Sequence, residues 1–266
     1  MLEHRTIRGI DIAFEWVDAG GELIVFLHGV GADRTSWAPQ LPFFSQLGYS
    51  VAALDIRGTG ASQARYETGI AIPISIQDFA ADVNTLILDL GFQHAHWVGN
   101  SMGGVVIMQA MKEKYSTIAN AVLCNTFAKH PSSDILLPRP GQALRSKSLE
   151  QFAADRIPAA HRPDIDRETL QASIASMAAK DVETYLLSWR ETWRHDFRDA
   201  LRSVTTPSLV ITGSLDKITP PALGMEIAHL IPNAKYCQID NAGHLSNLDQ
   251  PQEFNRVVFE FLRNGS

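Results

Sequence analysis

Short apolar runs, each closed by turn residues, punctuate the chain. Leu23-Ile24-Val25-Phe26-Leu27 is continuous rather than alternating and stops at His28-Gly29-Val30-Gly31, the pattern of a strand buried on both faces and ended by glycine. Val51-Ala52-Ala53-Leu54, Ala95-His96-Trp97-Val98, Ala121-Val122-Leu123-Cys124 and Leu209-Val210-Ile211 repeat it, each before a turn signal. Between several of these runs the period changes. Phe79, Val83, Leu86, Ile87 and Leu90 fall three and four apart and make one apolar helix face. Strands alternating with helices predict a mostly parallel central sheet with helices on both faces.

The alternation breaks between about Phe127 and Ser203, where Pro131, Pro138 and Pro140 open a stretch with helix-like patterns and no convincing strand. This predicts an inserted helical lid over 127–203, carried by a core domain made of 1–126 and 204–266. Regular sequence resumes at Thr205-Thr206-Pro207. A strand from Ser208 to Thr212, a helix through Ala222 to Leu230, a strand from Lys235 to Ile239 and a last amphipathic helix ending near Leu262 follow. The lid is then expected over the C-terminal edge of the sheet, where open α/β folds keep their ligand sites.

At 266 residues the chain has room for one large α/β domain with an insertion, not for two full-sized domains. A net charge of −6 and the lack of any Lys/Arg-rich run argue against nucleic acid or an anionic membrane as partner, so a small molecule is the expected target. The polar start Met1-Leu2-Glu3-His4-Arg5 leads directly into strand-like sequence, without the apolar region of a signal peptide, and no apolar stretch approaches the ~18 residues of a membrane span. A soluble, cytoplasmic protein is expected, with a homo-oligomer left open. Cys124 and Cys237 lie in apolar strand-like runs without metal-ligand or redox spacing and are expected as buried, reduced thiols.

Gly99-Asn100-Ser101-Met102-Gly103 fits G-x-S-x-G, the sharp strand-to-helix turn that exposes a serine hydroxyl. The motif alone is weak. Its setting, after an apolar strand and ahead of the helical run Gly104 to Met111, is the one the turn requires. A serine needs a base to take its proton, and nine histidines compete for that role. His244 follows the last predicted strand on the loop Asn241-Ala242-Gly243-His244. His94 and His96 sit just before or within the elbow strand and read as packing or surface residues, while His28 reads as ordering its own loop. The acid that orients the base comes between serine and histidine in this arrangement, and Asp216 in Gly213-Ser214-Leu215-Asp216 satisfies that order. A competing acid position, after the strand ending at Cys124, holds Asn125, which has no carboxylate. Asp240 is too near its strand end, and Asp249 reads as a helix N-cap before Pro251. Backbone N–H groups of Met102 and Val30 are the expected oxyanion donors.

His28-Gly29, Asp55 to Ser62, Gly99 to Gly104, Gly213 to Asp216 and Gly243-His244, in this order, resemble the α/β-hydrolase superfamily over nearly the whole chain except the lid. Trp37-Ala38-Pro39-Gln40, Leu123 to Thr126, Thr219 to Ala222 and His244 to Asn247 look like the 3-oxoadipate enol-lactonases. The resemblance implies an α/β-hydrolase fold and hydrolysis of an enol-lactone or related carboxylic ester through an acyl-enzyme, without cofactor or metal. It also implies an acidic substrate, for which Arg139, Arg145, Arg190 and Arg194 are candidate carboxylate partners. Trp189 and Trp193, four apart, share a helix face that either lines an apolar pocket or docks the lid. The segment Asp155 to Arg162 departs from those enzymes in lacking an aromatic-rich stretch. The elbow also resembles that of carbon-carbon hydrolases acting on ring-fission products, which usually carry Trp where this chain has Leu245. A ligand receptor built on a hydrolase shell is a further alternative. Haloalkane dehalogenation would need a carboxylate where Ser101 stands.

Overall fold

The computed structural model of the chain describes residues 1–264. Eight strands form one sheet: β1 (Leu2–Ile7), β2 (Ile10–Val17), β3 (Leu23–Leu27), β4 (Ser50–Leu54), β5 (Ala95–Asn100), β6 (Ile118–Cys124), β7 (Ser208–Gly213) and β8 (Lys235–Ile239). Their order is β1-β2-β4-β3-β5-β6-β7-β8. β4, β3, β5, β6, β7 and β8 run parallel, and at one end β2 pairs antiparallel with both β4 and β1, so that β2 runs against the other seven. All five continuous apolar runs are strands of the parallel part.

The antiparallel hairpin gives no such signal, because β1 is mostly polar. As the edge strand it buries little, and charged side chains there discourage pairing with a second sheet. Arg8 and Gly9 both have positive φ, 49° and 78°, in the two-residue turn between the paired Ile7 and Ile10. That twist suits a tight hairpin. At the opposite edge, β8 leaves Cys237 only partly buried, which corrects the expectation of a buried thiol, whereas Cys124 on β6 is fully buried.

Successive residues of β3 explain why its run is unbroken. Val25 and Leu27 enter a core with Phe79, Val83 and Leu86, while Ile24 and Phe26 enter a second core with Trp37, Phe44 and Phe254. The first core is closed by the helix Ile76–Asp89, which starts where Ser75 Oγ accepts the Asp78 N–H at 3.0 Å and buries the apolar face read from the sequence.

Between β6 and β7 the described chain forms helices and no strand, principally Leu149–Arg156, Arg167–Ala178 and Val182–Trp193. The side chains of Ser148, Asp166 and Asp181 cap these three. Phe127, Met177, Tyr185, Trp189 and Trp193 give this insertion an apolar cluster of its own. It is fastened to the sheet region by polar contacts: Thr184 Oγ1 donates to Gly58 O at 3.0 Å and Ser176 Oγ to Asp33 Oδ2 at 2.6 Å. No helix among the described residues is long and apolar enough to cross a membrane.

Strand order reverses beside β3. The chain leaves β3 for β4 on one side and returns to β5 on the other, which opens a crevice at the C-terminal ends of β3 and β5. β3 delivers Gly29-Val30 to that crevice and β5 delivers Ser101.

Candidate active site

Ser101 has φ 54° and ψ −112°, a conformation costly for a residue with a side chain. Its surroundings impose it. Ser101 N–H donates to Cys124 O at 2.8 Å, and Thr126 Oγ1 donates to Ser101 O at 2.9 Å. The turn is so tight that a Cβ on Gly103 would meet the Leu27 carbonyl, and one on Gly99 would meet the backbone of Gly103. The glycines of the motif are therefore steric requirements of the turn.

Ser101 and His244 line the same cavity, of about 280 Å³, together with Asn100 and Val30. The Ser101 hydroxyl has no protein hydrogen-bond partner among the described residues. His244 Nδ1 donates to Asp216 Oδ2 at 2.8 Å. That bond fixes the proton on Nδ1 and leaves Nε2 with its lone pair.

Asp216 is buried and satisfied by five donors. Thr219 Oγ1 at 2.6 Å and Asn125 Nδ2 at 3.1 Å join His244 on Oδ2, and the N–H groups of Ile218 and Thr219 reach Oδ1 at 2.8 and 2.9 Å. Burial alone would raise its pKa, but the charge and hydrogen bond of His244, with those from Thr219, hold it below the usual carboxylate value. Asn125, at the competing acid position, thus serves Asp216 as a donor. Its φ of 46° is one that asparagine tolerates better than most residues. Ser246 Oγ in turn donates to Asn125 Oδ1 at 2.6 Å.

Val30 lines the cavity and Met102 follows Ser101 directly, and neither backbone N–H is taken up by a protein acceptor among the described residues. Met102 opens its helix, so it has no intrahelical acceptor. His28 stands under the Val30 loop. Its Nδ1 donates to Gly29 O at 2.8 Å and its Nε2 accepts the Ile56 N–H at 3.1 Å, with burial pushing its pKa down to about 4. A neutral ring tying two loops together fits the structural role read from the sequence. Asn100, beside Ser101, is buried with neither amide atom hydrogen-bonded.

Asp249 does not cap a helix. Its fully buried carboxylate accepts from Gly243 N at 2.7 Å, Arg162 N at 2.8 Å and His161 Nδ1 at 2.7 Å, so it binds the His244 loop to the insertion. Nothing in the local sequence announces this, because His161 and Asp249 are far apart in the chain. Asp249→Ala is expected to destabilise the protein by about 3 kcal/mol, since it leaves buried donors without an acceptor. Urea unfolding checks this; a loss under about 1 kcal/mol would mean that water replaces the carboxylate at no cost.

The remaining candidates separate. Trp193 lines the cavity, whereas Trp189 is buried in the insertion with Nε1 donating to Leu136 O at 3.1 Å. Arg190 and Arg194 are exposed and pair with Glu191, and Arg145 is exposed; none of the three lines the cavity. Arg139 is exposed and does not line the cavity, whereas Arg156 does. Among the described residues no group of three or more His, Cys, Asp or Glu side chains is placed to hold a metal ion.

Known proteins share this architecture. The chain is 30% identical to a 2-hydroxy-6-oxononadienedioate/2-hydroxy-6-oxononatrienedioate hydrolase of Burkholderia vietnamiensis, over 92% of this chain and 88% of that one. It is 28% identical to 3-oxoadipate enol-lactonase 1 of Acinetobacter baylyi, over 91% of this chain and 88% of the relative. The crystal structure of the enol-lactonase from Burkholderia xenovorans superposes with a TM-score of 0.89 at 28% identity, covering 98% of this chain and all of that one. The family model described as alpha/beta hydrolase fold matches residues 22–251, and with the strand order and elbow above it establishes that the chain belongs to the α/β-hydrolase family.

Proposed function

We propose that the chain is a serine hydrolase that cleaves a carboxylic ester or enol-lactone through an acyl-enzyme. The observation that carries the reading is the His244–Asp216 bond of 2.8 Å in the cavity that Ser101 enters from a strained elbow. His244 Nε2 takes the proton of Ser101 as Oγ attacks the carbonyl carbon. Negative charge gathers on the carbonyl oxygen, to which the N–H groups of Val30 and Met102 donate. When the intermediate collapses, His244 returns the proton to the leaving oxygen. In a lactone that oxygen stays tethered to the acyl chain. Water, deprotonated by the same Nε2, then frees Ser101. Asp216 stays ionised throughout and stabilises the imidazolium. Residues 127–203 act as the lid that limits water around these steps.

The enol-lactonase relatives support this assignment. Carbon-carbon cleavage of a ring-fission product is the second reading, favoured by the name of the Burkholderia vietnamiensis relative. A fluorophosphonate probe is expected to label Ser101 alone, and a panel of lactones, aryl esters and ring-fission diketones separates the two readings. Labelling at another residue would remove Ser101 as nucleophile, and turnover confined to diketones would favour the second reading.

A further inference from the structure

Six hydroxyl side chains line the Ser101 cavity, and all but Ser101 itself give their hydrogen to an acceptor within the protein. Thr35 Oγ1 donates to Asp33 Oδ1, Ser36 Oγ to Asp33 O at 2.7 Å and Ser176 Oγ to Asp33 Oδ2 at 2.6 Å. Thr169 Oγ1 donates to Asp166 Oδ2 at 2.8 Å. Ser173 Oγ lies 3.0 Å from His161 Nε2. His161 keeps its Nδ1 proton for Asp249, so in the neutral ring Nε2 accepts and Ser173 donates. A hydroxyl carries one hydrogen and two lone pairs. With the hydrogens spent, these five side chains offer a ligand acceptors only.

Thr169, Ser173 and Ser176 fall four and three apart on one face of the helix Arg167–Ala178. Hydroxyls inside helices commonly bond back to the carbonyl four residues earlier, as Thr85 and Thr192 do here at 2.8 and 2.7 Å. Ser173 and Ser176 instead reach acceptors on other segments. Each acceptor is held in turn, His161 by Asp249 at 2.7 Å and Asp33 by Lys180 at 3.4 Å. The chain Asp249, His161, Ser173 repeats the order Asp216, His244, Ser101. Yet Ser173 lies inside a regular helix, whose N–H groups are bonded to carbonyls and leave no pair of donors for an oxyanion. Polarised towards His161, its oxygen is a strengthened acceptor. Glu168, in the same stretch of lining, has no side-chain partner among the described residues and adds negative charge. Val30 N–H and Asn100 Nδ2, by contrast, are unspent donors near the ends of β3 and β5. The cavity thus changes hydrogen-bonding sense between the serine and this helix.

We propose that Thr169, Ser173 and Ser176 form a subsite for hydrogen-bond donors, and that the tail of the substrate lying along them carries hydroxyl or ammonium groups. The substrate class is then an ester with a hydroxylated or amino-substituted tail. That the tail belongs to an ester rests on the serine-hydrolase reading; the acceptor face does not.

The test pairs tails that end in hydroxyl or methyl: p-nitrophenyl 6-hydroxyhexanoate with p-nitrophenyl heptanoate for the acyl side, and 4-hydroxybutyl butyrate with pentyl butyrate for the alcohol side. In the pair whose tail reaches the helix, wild type is expected to favour the hydroxyl. Ser173→Ala should reduce the hydroxyl-to-methyl ratio of kcat/KM by about 3- to 10-fold, the worth of one hydrogen bond, and Thr169→Val by about two- to fivefold. Ser173→Thr, which returns an acceptor, should restore the ratio. Lost packing alone would lower both members of a pair together and leave it unmoved. p-Nitrophenyl 6-aminohexanoate separates the two donors. Turnover above that of the hydroxyl ester, lost in Glu168→Gln, assigns an ammonium tail; turnover at or below it assigns a hydroxyl tail. Calorimetric binding of 6-hydroxyhexananilide against heptananilide, which needs no turnover, should follow the same ratios. If no ester is cleaved while that binding difference still depends on Ser173, the hydrolase reading fails and the subsite stands. A hydroxyl-to-methyl ratio that ignores both Ser173→Ala and Thr169→Val, in turnover and in binding, overturns the subsite.

Discussion

Ser101→Ala is expected to lower kcat on any accepted ester by about 10⁶-fold, the scale found when a serine hydrolase loses its nucleophile. Only a hydroxyl is removed, and the elbow glycines are untouched, so the fold should persist. Alanine still carries a Cβ and inherits the φ of 54°. Glycine would not. Ser101→Gly should therefore be equally inactive yet more stable than Ser101→Ala by about 1 kcal/mol, the difference between relieved backbone strain of roughly 1–3 kcal/mol and the entropy glycine loses on folding. Steady-state kinetics and urea midpoints on both variants check the pair of claims. Activity within tenfold of wild type would exclude Ser101 as nucleophile, and equal midpoints would show that the elbow stores no strain.

Asp216→Asn is expected to cost about 10⁴-fold in kcat, because an amide facing His244 Nδ1 permits the wrong imidazole tautomer. The amide must also satisfy Thr219 and Asn125, both of which donate to the oxygen it alters. Asp240→Asn, at an exposed position three residues before Gly243, is the control and should be nearly neutral. The depressed pKa of Asp216 adds a stability signature. A carboxylate whose folded pKa lies below its unfolded value of about 3.9 contributes fully above that pH, and the contribution is lost as pH falls through the folded value. Unfolding midpoints followed from pH 7 to pH 3 should therefore drop less steeply in the acid range for Asp216→Asn than for the wild type. A steeper acid limb in the variant, or a larger kinetic loss in Asp240→Asn, would reassign the acid.

What the sequence declares and what it conceals divide along physical lines. A strand buried on both faces must be apolar throughout, so β3 to β7 are legible as runs. β1 buries almost nothing, and Glu3, His4 and Arg5 leave no periodic trace of it. The proposed Ser101, Asp216 and His244 stand out in the sequence because each follows a strand in a fixed order. Their supporting contacts do not, since Thr219, Asn125 and the His161–Asp249 bridge are contacts through space between segments with no shared period. The arginines show the same limit. Arg190 and Arg194 adjoin two tryptophans in sequence, yet helix geometry turns them to solvent, and the cavity receives Arg156 from another helix altogether.

The insertion packs Phe127, Tyr185, Trp189 and Trp193 against one another, apart from the two cores that flank the sheet. Val30 packs on this cluster as well as on one core of the sheet, so exchanged side-chain volume there reaches the Val30 loop directly. Trp193 belongs to the cluster and also lines the cavity of Ser101 and His244, so a change of size there alters that cavity. On the proposed function, Ser101, Asp216 and His244 follow strands of the sheet, while the insertion contributes a differently packed wall to the cavity they face. A mutational library restricted to the aromatic cluster would redraw the range of accepted acyl groups, an arrangement that lets a single catalytic frame be inherited by enzymes with different diets.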